Sequence, residues 1–387
     1  MHRETGQVLL AIAAAFLGPA GCSSGSVPTD SAVGTGTGDW EGSTSANEMT
    51  EGNSAESSSS GTSDSGALTV WEVTRPSHVG GQRLVPEALG VSSNGTVYTF
   101  AVTHDDNAML VAYDVSGQEL WVKTPPVGEG FSSAAISVHG DRVALAVSAG
   151  KSDRNYEYWL YGATGDQVTH GMGGDNWAGI RVGVGLAGDT LVVAAGTRRE
   201  ISSETTIQTL LVVAHRVGSL TPIWRWSADD SGEGHAVLRH SNGSVLAAGS
   251  VGGNGWLGQF AANGALDWEV SFDYLGRKIS LSEGPDGAVY IGIGEHVLVV
   301  DTDGNPTDEF DLGEDRSSSL SWREDVLLAV DKHGACAAYD TSGVRQWDTV
   351  HANFINDALG NWMVDDVVIF GTLDRDRLLV SRTAPPS

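Results

Sequence analysis

AYDVSGQELW at residues 112–121 returns almost intact as AYDTSGVRQW at residues 338–347, and the fold follows from that pair. Each copy reads as an apolar strand, a tight glycine turn and a second strand ending in an indole. Looser copies stand between and around them: LYGATGDQVT (160–169), AHRVGSLTPIW (214–224), QFAANGALDW (259–268) and VVDTDGNPTDEF (299–310). Ahead of the copies stand turn residues followed at once by β-branched or aliphatic runs. These markers are Gly95, Asp141, Asp189, Gly243, Gly287, Asp325 and Asp366, spaced 38 to 54 residues apart. A period in the forties, with about four short strands in each unit, is the sequence signature of a β-propeller.

The ends of the repeat region agree with each other. The last unit has strands at 366–373 and 377–380 and then stops in Ala-Pro-Pro-Ser. An orphan strand, Thr69-Val70-Trp71-Glu72-Val73, precedes the first unit and carries the missing indole. No stretch has a 3.6-residue apolar stripe. The reading is therefore an all-β, seven-bladed β-propeller of four-stranded antiparallel blades over residues 67–387. The N-terminal strand completes the last blade, and closure removes the exposed sheet edge of an open array.

Composition excludes several classes. The 387 residues carry 49 acidic and 22 basic side chains, a net charge of −27, which argues against a phosphate-backbone binder and so against nucleic acid. With 18% charged residues and 51 glycines, the chain is no coiled coil or helix bundle. Two cysteines cannot build a disulfide framework.

The N-terminus reads as an address. Residues 8–17, VLLAIAAAFL, are too short to span a bilayer, which needs about 20 residues, and suit a signal-peptide core. Gly18-Pro19-Ala20-Gly21-Cys22-Ser23 follows and resembles the bacterial lipobox, although Pro19 stands where Leu is usual and Glu4 offsets Arg3. That resemblance implies a lipoprotein signal peptide over 1–21, lipidation of Cys22 and sorting to the outer membrane, facing periplasm or cell surface. Between residues 23 and 66, 27 side chains are Ser, Gly or Thr, seven are acidic and none is basic. Such a stretch cannot bury enough apolar surface to offset its chain entropy, so 22–66 reads as the lipidated Cys and a disordered tether.

The AYDxSGxxxW unit, lacking the Gly-His and Trp-Asp marks of WD40 repeats, resembles the repeat of pyrroloquinoline-quinone-like (PQQ-like) propellers. In that family the terminal aromatic docks between blades. The resemblance places Trp71, Trp121, Trp224, Trp268, Phe310 and Trp347 in that role, with Thr169 a departure in the second unit. One branch of the family comprises quinoprotein dehydrogenases. Another is the propeller lipoprotein of the outer-membrane β-barrel assembly machinery, a scaffold, usually of eight blades on a shorter tether. Signal, lipobox and propeller-only length are closest in layout to the scaffold branch. It implies a non-catalytic, monomeric protein-interaction scaffold with a protein partner in the cell envelope, held to the membrane by its lipid anchor only.

Catalytic and cofactor motifs were weighed against this reading. A quinoprotein would want an adjacent cysteine pair, and only Cys22 and Cys336 exist. GVGLAG (183–188) has the dinucleotide-loop pattern but runs into a strand, not a helix. The only Gly-x-Ser-x-Gly match, at 21–25, lies across the lipobox, where no nucleophile elbow forms. Asp301-Thr302-Asp303-Gly304-Asn305 reads as a hairpin turn and not as a calcium loop. His235 and His240 are five apart and fall on opposite strand faces. The expectation is no catalytic residue, no metal and no cofactor. The alternatives left standing are a channel-site cofactor or Ca²⁺-binding enzyme of quinoprotein type, and a surface carbohydrate-binding module.

Strands within a blade are lettered A to D from the central channel outward. In the resembling propellers the D–A and B–C loops share one face. Here the B–C loops of the first three units are longer and charged, which makes Asp105, Asp106, Arg154, Tyr156, Arg198 and Arg199 the candidate binding rim, with Trp177 on a D–A connection. Rigid scaffolds carry binding residues on such loops, and Arg and Tyr are favoured anchors. Solvated loops without a partner are the plain alternative.

Overall fold

The computed structural model describes residues 69–385, apart from 77, 80–81, 104–106, 128–129, 150–155, 174–180, 201–205, 220, 274–277, 313–316, 351–353, 355, 364–365 and 375–376. The expected signal peptide, Cys22 and the tether lie outside the described residues. Among the described residues every regular element is a β-strand.

Strand β1 (Thr69–Pro76) leads to the short β2 (His78–Val79). A meander follows: β3 (Gln82–Val91), β4 (Val97–Thr103), β5 (Ala108–Tyr113) and β6 (Glu119–Lys123). It recurs as β7 (Phe131–His139), β8 (Arg142–Ala149), β9 (Tyr156–Tyr161) and β10 (Gln167–Gly173). The middle of the chain supplies β11 (Val182–Ala187), β12 (Thr190–Glu200), β13 (Thr206–Arg216), β14 (Pro222–Arg239), β15 (Val245–Val251), β16 (Asn254–Phe260) and β17 (Leu266–Phe272). Then come β18 (Ile279–Glu283), β19 (Val289–Ile293), β20 (His296–Val300) and β21 (Pro306–Asp311). The last meanders are β22 (Ser317–Arg323), β23 (Val326–Asp331), β24 (Ala335–Tyr339) and β25 (Arg345–Val350), followed by β26 (Asn356–Met363), β27 (Asp366–Asp374) and β28 (Arg377–Thr383).

Hydrogen bonding joins these strands into four sheets of four strands, one of five that includes β2, and one of seven running from β11 to β17. The repeat had suggested separate four-stranded units throughout, and β14 departs from that. Its first half pairs with β13 as far as Thr209↔Ser231, and its second half pairs with β15 from Gly232↔Val251. The strand passes from the outside of one ladder to the inside of the next without a break. Gly232 stands at the switch, where a Cβ would collide with the Ser250 carbonyl oxygen.

At the other end of the chain, β1 pairs antiparallel with β28, so the N-terminal strand is the fourth strand of the β26–β28 sheet. The inner strands touch in order, β3 to β7, β11, β14, β18, β22 and β26, and β26 touches β3 again. The circuit is closed.

Two kinds of strand result. Middle strands such as β4 and β19 are buried along their whole length, because a sheet packs on each face, and their sequences VYTFAVT and VYIGI are unbroken apolar or β-branched runs. Outer strands such as β1 and β17 alternate half-buried and exposed residues, since one face meets solvent. The apolar clusters sit between adjacent sheets: Phe100, Leu110 and Trp121 pack against Leu145 and Trp159. At the seam, Val97, Val111 and Tyr113 pack against Val368, Phe370 and Val380. Polar ties reinforce the stacking on the A–B face. Arg142 Nη2 donates to Gly188 O at 2.6 Å, His240 Nε2 to Gly287 O at 2.7 Å, and Arg382 Nη1 to Val115 O at 2.8 Å.

Candidate functional site

The terminal aromatics tie the outer strand of one repeat unit to the C–D turn of the next. Trp71 Nε1 donates to Val115 O at 3.0 Å, Trp121 to Ala163 O at 2.8 Å, Trp224 to Ala262 O at 3.1 Å and Trp268 to Thr302 O at 3.1 Å. Each ring also covers a left-handed glycine of that same turn. A Cβ at Gly117 or Gly165 would lie 2.8 Å from the indole, so the glycine serves both the turn and the docking. Phe310 covers Gly343 in the same way without an N–H to donate. Trp347 packs on the cluster that holds Val367, Ile369 and Leu379. Thr169 stands on β10 opposite Leu160.

Of the rim candidates, Asp105, Asp106, Arg154 and Trp177 lie outside the described residues. Arg198 and Arg199 sit near the end of β12, paired with Gln208 and Ile207 in a ladder that runs to Glu200↔Thr206. Tyr156 must be moved from the rim to the core. It is 1% exposed, clusters with Val182, Leu191 and Leu211, and its hydroxyl is 2.9 Å from His215 Nε2. The cause is the pleat: β9 starts at Tyr156, between β8 and β10, and a strand in that place is buried on both faces.

The β12–β13 hairpin is the long one. Its strands have eleven residues each, against seven in β15 and β16. At 3.3 Å per residue the difference extends it by about 13 Å on the B–C side.

The channel between the inner strands holds a cavity of about 200 Å³. Its wall includes Leu89, Val184, Val237, Leu281, Leu320 and Leu359, with Glu87, His235 and Lys278 as the ionisable members. His235 is the centre of the polar end. Arg181 Nη1 is 3.3 Å from its Nδ1, and Glu233 Oε1 is 3.2 Å from its Nε2. Burial pushes the His235 imidazole below its ordinary 6.5; Arg181 and Lys278 push the same way, and Glu233 opposes them. The ring is therefore neutral at pH 7 and can both donate and accept a hydrogen bond.

Sequence reading missed this group. Arg181 and Lys278 each stand immediately before an inner strand, and Glu233 stands at the start of the inner half of β14.

No group of three His, Cys, Asp or Glu among the described residues is placed to hold a metal ion. The Asp301 turn uses its own carboxylate: Oδ1 accepts the N–H groups of Asp303 at 3.0 Å and Asn305 at 2.8 Å. Cys336 is buried in β24 outside any disulfide, with Sγ 3.7 Å from Gly334 O.

No protein-family model matches the chain, and no curated protein matches it. Solved structures do. A catalytically inactive histidine-to-alanine variant of virginiamycin B lyase from Staphylococcus aureus, solved with quinupristin, aligns over 80% of this chain and 99% of its own, with 11% identity and a TM-score of 0.55. Sqt1 from Saccharomyces cerevisiae aligns over 83% of this chain and 100% of its own, with 14% identity and a TM-score of 0.53. A chain of the mitotic checkpoint complex aligns over 83% of this chain and 96% of its own, with 12% identity and a TM-score of 0.59. At such identities these likenesses establish one thing, that the chain has the fold of a β-propeller.

Proposed function

We propose that the chain is a lipid-anchored, extracytoplasmic, PQQ-like propeller of seven blades that acts without catalysis as a protein-interaction scaffold at the outer membrane. The blade count takes the two halves of β14 as the outer strand of one blade and the inner strand of the next. Cys22 supplies the anchor, and residues 23–66 hold the propeller away from the lipid.

The observation that carries the scaffold reading is the β12–β13 hairpin, which extends the B–C rim and places Arg198 and Arg199 near its tip. In a domain with an acidic surplus, two adjacent arginines on a stiff projection suit an interface anchor. The fold itself does not choose, since its solved neighbours include a lyase and a member of a protein complex.

A photo-crosslinking residue placed at Arg198 or Thr206 in native cells tests this. One envelope protein should be captured there, and not from Asp114 or Asp301 on the C–D turns of the opposite side. No adduct from the hairpin, or the same adducts from both sides, would contradict it.

A further inference from the structure

Independently of the β12–β13 hairpin, we propose that two copies of this chain pair through the outer edge of β10, antiparallel about a two-fold axis at His170. This departs from the monomer that the family resemblance implies. β10 is the last strand of its sheet, so among the described residues one side of its backbone has no ladder partner. Such an edge recruits another strand unless charge or proline blunts it. The other outer strands are blunted: Glu72 stands in β1, Lys123 in β6, Asp230 in β14, Glu269 in β17, Asp308 in β21 and Asp348 in β25. β10 reads QVTHGMG and has no Asp, Glu, Lys, Arg or Pro.

The edge is also self-complementary. Val168 and Met172 are 44% and 40% exposed and stand two residues to either side of His170. In an antiparallel pair centred on His170, Val168 of one copy lies opposite Met172 of the other, and the contact recurs across the axis. Val168 is the extra residue of a bulge and has no register partner on β9. His170 is drawn back against its own sheet, stacked on Trp159 with Nε2 3.2 Å from Glu157 Oε2. The other face of β10 is nearly bare. Thr169 stands opposite Leu160, the ladder place that Trp121 takes opposite Ala112. Gly171 and Gly173 lie against the hydroxyls of Tyr158 and Tyr156, which a Cβ would strike. No long side chain on that face hinders a second strand.

Charge selects the occupant. Residues 67–387 carry 41 acidic and 21 basic side chains, so two copies repel wherever their carboxylates meet. β10 is the outer strand on which they can meet without that cost. A cationic segment would gain more on the acidic outer strands, whereas an uncharged edge suits an uncharged strand, and a second β10 is one. One strand per copy is a small contact, so the dimer is weak, with a Kd on the order of 100 μM. Because the two domains share a sign of charge, salt strengthens the pairing by screening them.

Sedimentation equilibrium of the full chain in a Cys22→Ser background tests this. A monomer–dimer equilibrium is expected, at least threefold tighter in 0.5 M than in 0.1 M NaCl. Met172→Lys should weaken it at least tenfold, and Leu120→Lys, at an exposed apolar residue of β6, should leave it unchanged. Register is read by oxidation. A mixture of Val168→Cys and Met172→Cys chains should give disulfide dimers of one chain of each kind, since opposed residues have Cα atoms about 4.5–5.5 Å apart. Either variant alone should stay reduced, because its like residues stand four places apart, about 13 Å. A monomer at millimolar chain in both salts, a dimer that Met172→Lys leaves intact, or like-with-like disulfides equal to mixed ones would overturn the proposal. None of these results bears on the crosslinks at the β12–β13 hairpin, so the two readings fail separately.

Discussion

Trp121 shows what one side chain does in this ring. It is 8% exposed, its indole N–H reaches Ala163 O, and its ring covers Gly165. Trp121→Phe keeps most of the packing and loses the hydrogen bond, and should cost about 1 kcal/mol in urea unfolding. Trp121→Ala should cost about 3–5 kcal/mol, because a cavity opens between two sheets. Trp121, Trp268 and Trp347 were legible because each follows a turn glycine by four residues, and Trp71 because its orphan strand supplied the indole missing from the last unit. Tyr156 was not, because its basic, polar neighbours in sequence say nothing of the sheets on either side of it.

His235 gives a pH signature at the same scale. Its folded pKa lies below 6.5, so on acidification the unfolded chain takes the proton first. Its contribution is whole above pH 6.5 and is lost as the pH falls through the folded value. Wild-type urea midpoints should therefore drop as the pH falls below 6.5, and His235→Gln should flatten that drop. The turn carboxylates act in a lower window: hydrogen bonds, led by the Ser116 hydroxyl at Asp114, hold Asp114 below 3.8, and backbone and Asn305 donors do the same for Asp301. An unchanged slope in His235→Gln would show that the imidazole is not buried as described.

Among the elements, the β12–β13 hairpin and β14 were the least legible in sequence. Arg198-Arg199-Glu200 read as a loop because its residues are polar; pairing with Thr206–Gln208 makes it strand. Likewise Ser231-Gly232 carries turn-type residues, yet ladders on both sides keep β14 extended. Replacing residues 199–207 by Asn-Gly should leave the unfolding free energy within about 0.5 kcal/mol of wild type, since the removed pairs lie beyond the stacked sheets. The same variant should abolish any crosslink formed from the hairpin. A large loss of stability would place the hairpin in the core and remove it from the rim.

For the whole molecule, the regular spacing of the turn markers made the repeat legible, and the orphan strand made its closure legible. Sheet count was not, because continuity of β14 depends on how neighbouring ladders align. The channel group was hidden for a related reason: Arg181, just before β11, and His235, in β14, meet only when those inner strands stack. Rim and channel geometry both depend on β1 closing that ring on β28. The direct measurement is an engineered disulfide between Glu72→Cys and Ser381→Cys, register partners in β1 and β28, in a Cys22→Ser background. Opposed antiparallel residues have Cα atoms about 4.5–5.5 Å apart, within disulfide reach. Oxidation is expected to give an intramolecular bond in nearly all of the folded protein and a raised melting temperature, while the pair Glu72→Cys and Val380→Cys, one residue out of register, stays reduced. Failure of the in-register pair to close, or closure only between molecules, would contradict the ring.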